Sequence, residues 1–244
     1  MLSATPPATW QELQHAVCTI MLEAGLTAEV ERTVALVRGK AEVDVYATEN
    51  ISGRSRVIFV ECKYWQSPVP QAVVREFRTV LSDGGADIGY IVSKAGFQAG
   101  AVEMSELTSV RLRTWEEFQD EFEPAWISNH LLPRVEETFS RLFMSFEMPH
   151  EGPWPPTTDL KIARWRQLHD QYYSFIDLMN RFSRIGASSS GGRVPPLPAR
   201  SIGIDHDELI PEEILDATGY RDLLEAVLSY AGPLLQEWEA YRQM

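Results

Sequence analysis

The chain has 244 residues, 44% of them hydrophobic and 23% charged, and a formal net charge of −13 at pH 7. That length holds one large domain or a compact domain with a smaller companion, and the balance suits a folded, soluble protein. No apolar run reaches transmembrane length and Met1 to Pro7 lacks the pattern of a secretory signal, so a cytoplasmic protein with no membrane partner is expected.

In chain order, Trp10, Leu13, Val17, Ile20, Met21 and Ala24 recur at helical spacing and Gly25 stops the run. Val30 to Val37 and Val43 to Thr48 are strand candidates, the second carrying Asp44. Asn50 to Arg54 has turn chemistry, and Arg56 to Trp65 is the clearest strand, ended by Pro68 and Pro70. A helix over Gln71 to Leu81, a break at Gly84-Gly85, a strand over Ile88 to Val92, a helix over Phe97 to Leu107 and a strand over Val110 to Leu112 follow. This alternation predicts an α/β fold with a central mixed sheet and helices on its faces.

From Thr114 the character changes. A helical stretch reaches about Phe146, interrupted near Pro124 and Pro133. The segment from His150 to Thr158 is proline-rich and reads as a loop. Asp159 to Ile185 is an amphipathic helix, Ala187 to Ser201 a Ser/Gly/Pro-rich linker or mobile loop, and Pro211 to Ala217 and Tyr220 to Arg242 are helices. The expected organisation is a mixed domain over residues 1–120 and an all-helical region over 121–244 with its loop at 187–201. The two cysteines, Cys18 and Cys62, fall in apolar contexts and read as core thiols.

Side chains alternate across a strand, so Glu61 and Lys63 share a face while Cys62 takes the other. An acid and a lysine closing an apolar strand are costly unless they serve something or lie at the edge. Asp44 sits in a strand that is a candidate neighbour. Phosphodiester hydrolysis explains the set: Asp44, Glu61 and the Cys62 carbonyl offer hard oxygen ligands to Mg²⁺ or Mn²⁺, and Lys63 orients or deprotonates a water. A plain Glu61–Lys63 salt bridge remains the bland alternative.

The order Gly39-x-x-x-x-Asp44, Glu61-Cys62-Lys63, a helix, Gly84-Gly85-Ala86-Asp87-Ile88-Gly89, a strand and Ser93-x-x-x-Phe97-x-x-x-Ala101 resembles the PD-(D/E)XK nuclease superfamily. Within it the likeness is to the Mrr-type restriction endonuclease domain, over roughly Thr9 to Phe118. Two departures are visible: many such domains have Gln where Glu61 stands, and Gly39-Lys40-Ala41-Glu42 replaces a Gly-rich turn before Val43-Asp44. The resemblance implies a restriction-endonuclease-like fold, a metal-dependent endonuclease acting on nucleic acid, expected to be DNA, and a bacterial restriction or anti-phage role. It also implies that a helix acid, Glu12, assists the metal, although Thr9-x-x-Glu12 is equally a capping box. Tyr64 and Gln71 lie near this site but read more readily as packing or surface residues.

Two other readings stand beside this one. The first is a catalytically silent interaction protein with the nuclease fold, favoured by the acidic charge, since phosphate binding needs basic surface. The second is an RNA-directed or structure-selective nuclease. The helical region is the expected surface for a homodimer or a partner subunit. Its Arg164, Arg166, Arg181 and Arg184 are candidate phosphate contacts, and Trp154, Trp165, Tyr172 and Tyr173 candidate base-stacking rings, though a solvated helix face and a core explain them as well. Asp205-His206-Asp207-Glu208 reads as a cap, His15, His130, His150 and His169 have no catalytic spacing, and no phosphate loop for ATP is present.

Overall fold

The computed structural model describes residues 1–51, 53–147 and 159–244, so the loop expected over His150 to Thr158, with Trp154, lies outside the described residues. Two compact units are formed, one from Met1 and Thr5–His130, the other from Leu2–Ala4 and Leu131–Met244.

The first unit opens with α1 (Trp10–Glu23), capped by Thr9, whose hydroxyl accepts the Glu12 N–H at 3.1 Å. Strands β1 (Thr27–Leu36), β2 (Gly39–Ile51) and β3 (Arg54–Lys63) form an antiparallel meander. Helix α2 (Gln71–Asp83) then leads to β4 (Ile88–Ser93), and α3 (Ala99–Ser105) to β5 (Val110–Thr114). β3, β4 and β5 are parallel, which requires these helical crossovers, so the five strands form one mixed sheet in the order β1-β2-β3-β4-β5. β2 is longer than its sequence pattern suggests, because its first half pairs only with β1 and gains no apolar alternation from a second neighbour.

Phe59 and Ile91 face α2 and α3 in a core with Val74, Phe77, Leu81, Ala101 and Val110. Gly89 permits that approach: a Cβ there would lie 2.6 Å from Phe77 Cε1. The alternate residues face the other way, where the Tyr90 ring meets Phe118 and Phe122 of α4 (Trp115–Trp126) at 5.8 and 5.9 Å. Thr114 and Glu117 close a complete capping box at the start of α4. A π-helical turn over Ile127–Leu131 follows, immediately before Pro133, whose missing N–H deprives the Asn129 carbonyl of its α-helical donor.

The second unit is helical: α5 (Leu132–Glu147), α6 (Asp159–Arg181), α7 (Arg184–Ser189), α8 (Glu212–Leu215) and α9 (Tyr220–Gln243). Phe139, Phe175, Phe182, Leu223, Leu234 and Trp238 are buried in it. Leu2 is buried here too, and its carbonyl accepts the Arg221 N–H at 2.8 Å. The Ser-rich start of the expected 187–201 loop is instead the end of α7, capped by the Ser183 hydroxyl. No helix among the described residues is long and apolar enough to cross a membrane.

Candidate active site

The β2–β3 ladder runs from Ile51↔Arg54 to Val45↔Val60 and ends there, so Glu61, Cys62 and Lys63 pair only with β4. Across the other edge of β2, the β1 ladder skips one pair, the one that would join Asp44 to Glu31. Glu31 has φ +54, a left-handed conformation that a residue with a Cβ adopts at a cost of about 1–2 kcal/mol. Asp44 therefore stands at an irregular point of its strand, and its side chain takes over part of the missing ladder. Oδ2 accepts the Cys62 N–H at 2.6 Å.

Asp44 Oδ1 accepts a second hydrogen bond, from Gln14 Nε2 of α1, at 2.8 Å. Gln14 is 1% exposed, although it lies on a helix otherwise read from its apolar stripe. A carboxylate only accepts, so the amide must present its nitrogen to Asp44, and its oxygen turns away. That oxygen, Oε1, is buried with no hydrogen-bond partner. Leaving such an acceptor unmet costs on the order of 1–3 kcal/mol.

Glu61 and Lys63 lie on one strand face and form an ion pair, with side chains 24% and 18% exposed. Burial, and then the nearby Asp44 charge, push the Glu61 carboxyl above the ordinary glutamate value, against the pull of Lys63. Two acids thus lie close enough to repel, and Lys63 is paired with Glu61. The Cys62 thiol is buried and raised well above its usual value, an inert core group, whereas its backbone faces Asp44. N–H and C=O of one strand residue point to the same edge, which puts the Cys62 carbonyl on the Asp44 side as well.

Glu12, two residues before Gln14, is exposed, and its carboxylate accepts the Ala8 N–H at 2.8 Å. The Ala8 carbonyl in turn accepts the Tyr64 hydroxyl at 2.7 Å, so Tyr64 ties the end of β3 to the start of α1. Glu12 is thus beside this edge and bonded locally, while Gln14 is the α1 residue joined to Asp44. The signal that could have found Gln14 is a polar residue inside the buried Leu13–Met21 stripe. Lys63 and Lys94 lie near the Trp65 and Tyr64 rings, at 5.3 and 4.0 Å, forming a rim of cations and aromatics at the strand ends. Gln71 is turned toward Gly100 of α3.

Among the described residues no three His, Cys, Asp or Glu side chains converge as a preformed metal cage. The oxygens available to a cation here are those of Asp44 and Glu61 and the Cys62 carbonyl. A second polar group in this unit is self-satisfied: Tyr90 and Arg111 both donate to Glu121 Oε1, and Arg113 donates to Glu121 Oε2 at 2.6 Å.

Residues 7–121 match the family model described as Restriction endonuclease, Mrr_cat. No curated protein matches the chain. Among solved structures, the crystal structure of a protein of unknown function, AF1548, is similar at 17% identity, covering 55% of this chain and 78% of that one, with a TM-score of 0.41. The N-terminal half of this chain is, by its family match, a restriction endonuclease domain of the Mrr type.

Proposed function

We propose that the protein is a metal-dependent endonuclease that hydrolyses phosphodiester bonds of DNA in a bacterial restriction or anti-phage role. The observation that carries this reading is the parting of β2 and β3 at Asp44, which sets one carboxylate between the strands and beside the Glu61–Lys63 pair. Asp44 accepts two hydrogen bonds, and a carboxylate has about four lone-pair sites, so it keeps capacity for a cation. Hard oxygen donors of this kind suit Mg²⁺ or Mn²⁺, with Asp44, Glu61 and the Cys62 carbonyl as the residues that would hold it. A divalent cation there supplies charge neutralisation at the phosphate and a more acidic water.

The chain's own residues do the rest. Lys63, restrained by Glu61, opposes the charge that builds on the phosphate oxygens and orients a water for attack. Gln14 and the Cys62 N–H fix the Asp44 carboxylate. Glu12 supports the edge: it holds Ala8, which receives the Tyr64 hydroxyl. The Lys94 and Trp65 rim meets the nucleic-acid backbone and a base face.

The test is incubation with plasmid, single-stranded DNA and RNA in Mg²⁺, Mn²⁺ or EDTA. Plasmid cleavage that disappears in EDTA is the expected result, and cleavage of RNA alone would move the substrate class. No cleavage of any substrate in either metal overturns the enzyme reading. It would favour a nuclease-fold protein that acts by contact, a reading for which the charge of −13 speaks. We assign the helical unit to pairing with a second copy or a partner subunit; a monomeric mass in light scattering, unchanged by added DNA, would remove the second-copy role.

A further inference from the structure

We infer that the helical unit carries a ligand site of its own, a cleft beside α7 that takes a nucleoside monophosphate. The site is independent of the nuclease reading. The Ser/Gly/Pro-rich stretch that follows α6 builds it. Gly186 lets α7 lie hard against the end of α6, since a Cβ there would be 2.3 Å from the Asn180 carbonyl oxygen. Gly191 and Gly192, at φ +72 and +85, turn the chain once α7 ends. Pro195 and Pro196 then restrict the backbone of the returning segment. Tyr220 donates its hydroxyl to the Pro195 carbonyl at 3.1 Å, and Arg200 holds both Asp216 oxygens at 2.7 and 2.9 Å. Tied at these two places, the segment stands off α7 and leaves a cleft of about 610 Å³, within the range of small-ligand pockets.

The charge in this cleft runs against that of the chain. The sequence has 35 acids and 22 lysines and arginines, yet among the described residues the cleft is lined by Arg181 and Arg193 and by no carboxylate. Asp177 accepts from Arg181 Nε and Nη2 at 3.2 and 2.9 Å, which aims the guanidinium and leaves donors over. Arg193 has no side-chain partner among the described residues. Ser189 and Ser190 add hydroxyls to the same wall. Phosphate, with several acceptor oxygens, is the group that guanidinium donors recognise two at a time. The remaining wall is apolar, from Val194, Pro195, Pro196, Ile202 and Ile185, the last 69% exposed. Inorganic phosphate would leave that wall in water, whereas a base attached to the phosphate would cover it.

The experiment is calorimetric titration of the full-length chain in EDTA with AMP, adenosine and inorganic phosphate. AMP is expected to bind one to one with a Kd below about 1 mM. Adenosine and phosphate are each expected to bind at least about tenfold more weakly, since each engages only one half of the cleft. Arg193→Gln and Ile185→Asp should each weaken AMP by about tenfold or more, the first by removing a guanidinium and the second by adding a carboxylate at the mouth. Both side chains are exposed, so both variants should melt as wild type does. Arg166→Gln removes the same charge from an exposed position outside the lining and should leave AMP binding unchanged. Absence of AMP binding overturns the inference, and so does phosphate that binds as tightly as AMP. Binding that survives Arg193→Gln but is lost in Lys63→Ala would put the nucleotide in the sheet unit's site and overturn it as well. Plasmid cleavage plays no part in these outcomes, so failure of the nuclease reading is separately visible.

Discussion

In the helical unit three partly exposed arginines meet an opposite charge: Arg164 reaches Glu237 at 2.9 Å, Arg181 reaches Asp177 at 2.9 Å, and Arg184 reaches Glu136 at 3.2 Å. In the sheet unit Lys63 pairs with Glu61, whose carboxyl is raised by burial and then by the neighbouring Asp44, and the Gln14 amide that donates to Asp44 keeps a buried oxygen with no partner. The first arrangement pairs these charges, although Tyr241 keeps a buried hydroxyl with no hydrogen-bond partner. The second holds two mutually repelling acids together at positions the chain could have filled with apolar residues. A cation would relieve the repulsion between the two acids, which is the chemistry proposed for this site.

Substitutions in the two units should break in different ways. Asp44→Ala and Lys63→Ala are expected to lower metal-dependent cleavage by roughly a hundredfold or more in folded protein, with Asp44→Ala also costing about 1–3 kcal/mol because the Cys62 N–H and the Gln14 amide lose their acceptor; undiminished cleavage by both would remove the assignment. Phe175→Ala is expected to cost about 3–5 kcal/mol, because the ring is 1% exposed and packs on Phe139 and Tyr230 at 5.5 and 4.8 Å. Hydrogen exchange should place that loss in the helical unit and leave β3 and β4 protected.

Gly89→Ala should cost about 1–3 kcal/mol in urea denaturation, as the new methyl meets the Phe77 ring at 2.6 Å. The Glu61 carboxyl, raised first by burial and then by Asp44, holds its proton more tightly in the folded protein than in the unfolded chain. Its contribution to stability is therefore full below the ordinary glutamate value and is lost as pH rises through the raised folded one. In EDTA, Glu61→Gln should flatten the stability curve over that interval, and a curve parallel to wild type would contradict the assignment. Smallest of all, Arg164→Ala should change stability by no more than about 1 kcal/mol, since the pair with Glu237 is partly exposed. A marked loss of DNA affinity in this variant would move the nucleic-acid surface into the helical unit.

Much of the sheet unit is legible in one dimension. The apolar run Val57 to Val60, the helical stripe of α2 and the breaks at Gly84-Gly85 locate β3, α2 and β4, because period and turn chemistry are local properties. Helix ends are less legible. Phe97 lies before α3, whose helix starts only at Ala99, because Val69 and Phe97 form an isolated bridge and the Gln98 N–H goes to the Val69 carbonyl. Of the ring and cation candidates in the helical region, Tyr172 is buried with its hydroxyl on Glu237, and burial followed by that hydrogen bond pushes it up to about 12, while Tyr173 stays half exposed. The Asp205–Glu208 cluster ends in a short 3₁₀ turn, with Asp207 facing Arg200 at 3.7 Å.

For the site itself, the sequence determined that Glu61 and Lys63 share a face, since alternation along a strand is a property of the backbone alone. It also supplied Asp44 as a strand-borne acid. Only the tertiary structure decided what surrounds that acid. Where β2 leaves β3, the Cys62 N–H loses a ladder partner and takes the carboxylate instead, and α1 lies at the height that delivers Gln14. Helical periodicity assigns Gln14 to the buried face, but what a buried amide meets there depends on a strand thirty residues away in sequence. Glu12, bonded within its own first turn, and Gln14, bonded across the fold, differ by two positions in the chain, and packing alone separates their roles.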